Sequence, residues 1–271
     1  MGTSSNLPLV TIVTVAFNAE DTIEDTILSV INQDYEKIEY FVIDGGSNDR
    51  TVSIIKSYED RITQWISEKD NGIYDAMNKG ILLSHGEWIT FRNCGDLFAE
   101  KDSLSKVFSK PYDEDVMIIH GDCYKTSEYG YKICRPQPLS RYKFEMPIIH
   151  PASFIRSELH KKWLFDESYK VAADYNMIYK CIEAGMKFEH VDSPIVIFPS
   201  GGFSDQNWRI ALADMMRIQK KVYSLSGLLV FLFRYIYIYI NSKLNLIIDK
   251  FFRNKQRKGW EPFPLPIEKF Y

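Results

Sequence analysis

Through its first third the chain repeats one arrangement. VTIVTVA (10–16) is a run of β-branched and apolar residues, and EDTIEDTILSVINQ (20–33) follows it with Ile23, Ile27, Val30 and Ile31 at helical spacing. IEYFVI (38–43), TQWIS (63–67) and EWITFR (87–92) are further apolar runs. Between them lie a helix through Val52, Ile55 and Tyr58 and a second, NGIYDAMNKGILLS, that turns Ile73, Met77 and Ile81 inward. A strand buried on both faces needs a continuous apolar run, and a crossover helix needs one apolar stripe. Their alternation predicts βαβ units: an α/β fold with a mainly parallel central sheet flanked by helices.

Ligands of such sheets bind beyond the carboxyl ends of the strands. Three polar clusters fall there: FNAED (17–21), DGGSND (44–49) and NCGD (93–96). Further on, DVMIIHGD (115–122) reads as a strand, with a hairpin around Tyr129 and Gly130. HPASFIRSELHKKW (150–163) reads as a strand or loop and then a short helix. AADYNMIYKCIEAG (172–185) is a helix closed by Gly185, FEHVDSPIVIF (188–198) is more strand, and a helix starts near Asn207. With no internal repeat and no low-complexity linker, residues 1–215 are expected to form one domain and 216–271 a tail.

Several chemistries are absent. The turn after the first strand holds no glycine, so the GxGxxG of a dinucleotide site is missing, as are GxxxxGK[ST] and GxSxG. The four cysteines form no CxxC pair, which argues against a zinc site or disulfide scaffold and suits a reducing compartment. A net charge of −3 argues against nucleic acid as a partner. No basic stretch precedes the first apolar run, so no signal peptide is expected.

What remains is acidic and polar. Singly, each group has a plain structural reading: Asp44 and Asp96 as caps, Asp70-Asn71-Gly72 as a turn, Asp174 as a carboxylate in the first turn of a helix, His150 as a satisfied loop residue. In order and spacing, however, the blocks TIVTVAFNAED, EYFVIDGGSNDRT, DNGIYDAMNKGI, HGEWITFRNCGD and VAADYNMI resemble family 2 glycosyltransferases, which have the Rossmann-like GT-A fold and include enzymes of bacterial surface-polysaccharide assembly. The resemblance covers about residues 8–200.

The resemblance implies an inverting hexosyl- or hexosaminyltransferase that moves sugar from a nucleotide-diphosphate sugar, a UDP-sugar by preference, to a hydroxyl of a lipid-linked or saccharide acceptor. Phe17, Asn18 and Asp44 would lie against the nucleoside, although the family's DDGS is DGGS here. Asp70, Asn71, Gly72, Asn78 and Lys79 would line the donor pocket. FRNCGD would take the place of the DxD block, leaving Asp96 as the metal carboxylate for Mg²⁺ or Mn²⁺, with Asn93 as a neutral oxygen and Gly95 allowing close approach. Such a site is expected to bind metal weakly. Asp174 would be the general base, desolvated by Ala172 and Ala173. His150 and Arg156 would lie on the acceptor or diphosphate side. Two other readings stay open: a non-catalytic membrane-bound scaffold with a degenerate site, and a sugar-nucleotide nucleotidyltransferase.

Between Arg217 and Lys258 ten Lys/Arg stand against a single acid, Asp249, within a stretch rich in Leu, Ile, Phe and Tyr. The apolar run is too short to span a bilayer. It predicts a basic amphipathic helical tail lying on anionic lipid, and hence a cytoplasmic protein peripheral to the inner face of the plasma membrane.

Overall fold

The computed structural model describes residues 7–220, together with the isolated positions 233, 236, 240, 260 and 261. Its strands are β1 (Val10–Ala16), β2 (Ile38–Asp44), β3 (Gln64–Ser67), β4 (Trp88–Phe91), β5 (Leu97–Phe98), β6 (Val116–Ser127), β7 (Gly130–Cys134), β8 (Ser153–Arg156) and β9 (Lys187–Pro199). Its helices are α1 (Ile23–Ile31), α2 (Thr51–Ser57), α3 (Ile73–Leu83), α4 (Ser103–Val107), α5 (Ser157–Lys162), α6 (Ala173–Glu183), α7 (Phe203–Gln206) and α8 (Trp208–Ile218). The strands form one nine-stranded sheet in the order β3-β2-β1-β4-β8-β6-β9-β5, with β7 paired to β6.

The first half of the sheet is parallel throughout, β3-β2-β1-β4, as the alternating runs require. The second half is mixed. β8 runs antiparallel to both β4 and β6, while β6 and β9 pair in parallel across a β-bulge. The reversal at β8 places the start of that strand, beside His150, at the carboxyl rim of the parallel half. Its end, Arg156, pairs with Trp88 at the opposite rim.

Strand periodicity sorts the core into two layers. Val10, Ile12 and Ala16 of β1 face α1, α2 and α4, packing with Ile27, Ile55 and Leu104. Val13 and Val15 face α3, α5 and α6, packing with Met77, Leu159 and Met177. Both sheet faces are thereby covered, and the polar loops emerge at the rims. Thr11, Thr14 and Glu39 break the apolar pattern inside the sheet, each with a partner: Thr11 donates to Glu39, and the Thr14 hydroxyl lies 3.0 Å from that of Tyr40.

The tail predicted from Arg217 onward falls almost wholly outside the described residues. Phe233, Ile236 and Ile240 are helical and exposed. Glu261 pairs with Tyr131 at the edge of β7, and Lys132 lies over the Trp260 ring. Among the described residues no helix is long and apolar enough to cross a membrane.

Candidate active site

The loops after β1 and β2 are laced together. Gly45 N–H donates to Ala16 O, Asn18 N–H to Ser47 Oγ, and Asn48 N–H to Asn18 Oδ1. Ala19 N–H donates to Thr51 Oγ1, and Arg50 bonds Glu20. Phe17, between these anchored residues, exposes 63% of its surface. An aromatic ring held bare beside a rigid polar loop is a surface on which a flat group can stack.

Asp44, at the end of β2, is fully buried. Its Oδ2 accepts from Gly46 N–H, Ser47 N–H and, at 2.7 Å, Ser67 Oγ, while Oδ1 accepts from Ser47 Oγ. The carboxylate is thus consumed in shaping the DGGS turn and fastening it to β3. Asp70 lies on the same turn. A Cβ added to Gly45 would come within 2.9 Å of Asp70 Cγ and closer still to Oδ2.

The rest of the donor block divides. Asn71 caps locally onto Asp75, and Gly72 N–H donates to Asp70 Oδ1. Asn78 is buried and exchanges hydrogen bonds with the backbone of Phe165, 2.9 Å each way, so it ties α3 to the segment after α5. Lys79 pairs with Glu68 at 2.8 Å and lies near Asp75 and Asp70, all of which raise its pKa; its charge is already answered.

After β4 the chain turns sharply, with Asp96 N–H donating to Asn93 O. Gly95 sits in this turn at φ +94°, a conformation L side chains rarely adopt, and its N–H is held by Thr26 Oγ1. Backbone conformation accounts for this glycine. Asp96 is buried, and desolvation raises its carboxyl to about 7 against the opposing charge of Arg92. Arg92 is also fully buried, stacked over Phe98, and desolvation lowers its pKa to about 9. Its Nη1 bonds Thr90, Phe91 and Pro151, but among the described residues Nε and Nη2 have no partner, nor does Asn93 Oδ1. Cys94, beside them, has its thiol pKa raised by burial and by the nearby carboxylates of Asp96, Asp44 and Asp49, which places the β2 and β4 loops at one locus.

Asp174 opens α6 half-buried, behind the buried Ala172 and Ala173. Its Oδ1 accepts Tyr175 N–H at 2.8 Å and lies 3.1 Å from the hydroxyl of Tyr74 on α3, which donates to Val171 O at 2.7 Å. His150 is buried in a box of Phe91 and Phe165 with Nε2 unpartnered. Burial lowers its pKa, the Asp174 charge opposes that shift and the Arg92 charge adds to it, so both lie within electrostatic range of the ring. Arg92 in turn lies within range of Asp96, which groups the four at one part of the molecule.

Arg156 is not part of it. It stacks on Trp88, pairs with Glu87 and donates to Val116 O at the far rim, where antiparallel β8 carries it. This corrects its expected place on the acceptor or diphosphate side. Tyr74 and Arg92 were not singled out by the sequence reading. The signal for Arg92 was there, a charge closing an apolar strand; Tyr74 had none beyond its helical position. Among the described residues no three metal-binding side chains converge.

Residues 11–165 match the family described as Glycosyl transferase family 2. The chain belongs to that family. It is a glycosyltransferase with the GT-A fold, and family membership leaves the nucleotidyltransferase reading without support. An uncharacterized glycosyltransferase of Mycobacterium tuberculosis is 32% identical over 190 residues, 65% of this chain and 70% of the relative. A PGL/p-HBAD biosynthesis glycosyltransferase of Mycobacterium bovis is 27% identical over 183 residues, 64% and 70% of the two chains. The fold matches S. aureus TarS 1-349 in complex with UDP-GlcNAc at a TM-score of 0.63 and 15% identity, covering 79% of this chain and 66% of that one. It also matches mannosyltransferase PcManGT from Pyrobaculum calidifontis in complex with GDP-Man and Mn2+, at 0.64 and 19%, covering 80% and 64%. The chain spans just under two thirds of those two solved chains.

Proposed function

We propose that the protein transfers a hexosyl or hexosaminyl group, with inversion, from a UDP-sugar to a hydroxyl of a lipid-linked or saccharide acceptor. The observation that carries this reading is the placement of Asp174. It accepts from Tyr74 on α3, the helix that carries Asn78 and Lys79 of the donor block, and lies within electrostatic range of His150. The nucleoside lies against Phe17 and the DGGS turn, and the diphosphate lies over the β4 turn. Asp174 accepts the acceptor's hydroxyl proton as that oxygen bonds to the anomeric carbon. The bond from that carbon to the diphosphate oxygen breaks with its electron pair, releasing the nucleoside diphosphate. A single displacement from the far face inverts the centre.

The β4 turn also suits a divalent cation. Asn93 Oδ1 is a buried acceptor without a donor among the described residues, and the Asp96 carboxylate has the Arg92 charge and the Asn93 backbone N–H beside it. Two oxygens of this kind, completed by phosphate and water, suit Mg²⁺ or Mn²⁺. When bound, the cation supplies countercharge for the leaving diphosphate. The PcManGT structure contains GDP-Man and Mn2+, and one TarS structure contains UDP-GlcNAc, which supports a nucleotide-sugar donor and a cation here.

Residues 1–215 act as the catalytic unit, and the basic tail from 216 rests on anionic lipid at the cytoplasmic face, bringing a membrane-borne acceptor within reach. Exposure of Phe233, Ile236 and Ile240 supports this. The test is turnover of a UDP-sugar panel with Mn²⁺ against glycolipid acceptors, with the product's anomeric configuration read by NMR. A β-linked product from an α-linked donor is expected. Retention refutes the mechanism, and absence of turnover or donor binding throughout the panel favours the scaffold reading.

A further inference from the structure

One carboxylate beside the DGGS turn keeps an oxygen without a hydrogen-bond partner among the described residues, and it is not the one that ends β2. Asp44 is sealed from solvent and spends both oxygens on Gly46, Ser47 and Ser67. Sealed from solvent, it presents neither oxygen to a ligand. Asp70, half-buried, gives Oδ1 to Gly72 N–H, and its Oδ2 has no hydrogen-bond partner among the described residues.

What holds Asp70 there is the absence of a side chain at position 45. The carboxylate rests on the Gly45 backbone where any Cβ would overlap it. Beside it, a Cβ on Gly46 would come within 3.3 Å of Lys69 N, so the whole 68–70 segment lies flat on the two-glycine turn. Gly45 in turn bonds Ala16 O, the residue before Phe17. A fixed carboxylate oxygen and a bare aromatic ring thus flank one turn, the pairing a nucleoside needs: a face to stack on and an acceptor for one of its donors.

We infer that Asp70 is the group that reads the nucleoside, and that residue 45 is glycine to admit it. Asp70 Oδ2 accepts a hydrogen bond from the nucleoside, either from the N3–H of uracil or from a ribose hydroxyl. The carboxylate that the DGGS turn lacks at its second position is supplied from the β3–α3 loop. The inference rests on the proposed use of a UDP-sugar.

The test is calorimetric titration of the full chain with UDP, with 2′-deoxy-UDP and with inorganic pyrophosphate, each with Mn²⁺. Asp70→Asn keeps an acceptor for Gly72 N–H and removes the second, and Gly45→Ala leaves Asp70 intact but displaces it. Both variants are expected to weaken UDP by about 10- to 100-fold, the range of one charge-assisted hydrogen bond, and to leave pyrophosphate unchanged. If 2′-deoxy-UDP binds wild type as UDP does and is weakened by Asp70→Asn in the same way, the contact is to the base or the 3′-hydroxyl. If it binds wild type weakly and Asp70→Asn weakens it no further, the contact is to the ribose. Unchanged UDP affinity in Asp70→Asn, or an equal loss for UDP and pyrophosphate, overturns the inference. Wild type that binds no UDP fails the proposed function itself, a result the variants do not enter.

Discussion

Replacing Asp174 by Asn separates catalysis from architecture. Asp174 Oδ1 accepts the Tyr175 N–H and approaches the Tyr74 hydroxyl. An Asn side chain has the same shape and keeps one carbonyl oxygen for both contacts, so α6 keeps its start and α3 its link to it. What disappears is the basic oxygen that takes the acceptor proton. General-base catalysis contributes about 10²- to 10⁴-fold, or about 3–5 kcal/mol of barrier. Asp174→Asn is therefore expected to lower kcat by that factor, with Tm and UDP affinity close to wild type. Asp174→Ala loses the same rate and, with the contacts gone, roughly a further 1 kcal/mol of stability. The assay is UDP released from the donor turned over fastest, in the presence of a glycolipid acceptor, beside a UDP titration of each variant. An Asn variant that keeps more than about a tenth of wild-type kcat refutes the base assignment, since the smallest loss expected is about 10². Loss of UDP binding along with turnover would show that Asp174 holds the site together instead.

Three further outcomes follow from the same structure. Asn78→Ala should cost about 1–3 kcal/mol in chemical denaturation, because it strands the backbone of Phe165, while UDP affinity of the folded protein stays unchanged; a selective loss of UDP binding would return Asn78 to the pocket. Arg156→Ala should reduce stability and leave kcat and KM at wild-type values, because its partners Glu87 and Trp88 lie at the far rim; a raised KM for donor or acceptor would contradict that placement. Acid should destabilise the fold through its buried imidazoles, opposed in part by the buried Asp96 carboxyl, which protonates near 7 in the folded chain and so favours folding as pH drops. Burial holds His160 at about 3 and His120 at about 4, below their ordinary 6.5, so the unfolded chain takes up protons that the folded chain refuses. Stability is full above 6.5 and falls as pH drops toward those values. Between pH 7 and pH 5 each ring contributes a loss of about 2 kcal/mol, read in urea titrations as the difference between wild type and His160→Phe; a difference that does not change between pH 7 and pH 5 would refute it.

The parallel half of the sheet was legible because each strand there is a continuous apolar run followed by a crossover helix. The second half was not. β8 has four residues and reverses direction, β5 has two, and β6 meets β9 across a bulge; these pairings depend on partners far along the chain. The site shows the same divide. Asp44 and Asp96 read as polar groups closing apolar strands, Asp70 as part of a turn and Asn78 as part of a helix, and the placement of Asp44 and Asp96 at or just past strand ends followed. Which of them has lone pairs to spare did not. Asn78 is satisfied by Phe165, 87 residues away, and Asp44 by Ser67, 23 away. Arg156 was misplaced for a simpler reason: six residues after His150, it sits at the other end of a strand whose direction the sequence does not state.

A crystal structure of the protein soaked with UDP and Mn²⁺ tests the central claim most directly. The account predicts uridine between Phe17 and the Gly45–Asp70 contact, the diphosphate over Asn93 and Asp96, and the Asp174 carboxylate facing the terminal phosphate across an open gap. Density for UDP elsewhere on the sheet, or Asp174 screened from that phosphate by intervening chain, would contradict it.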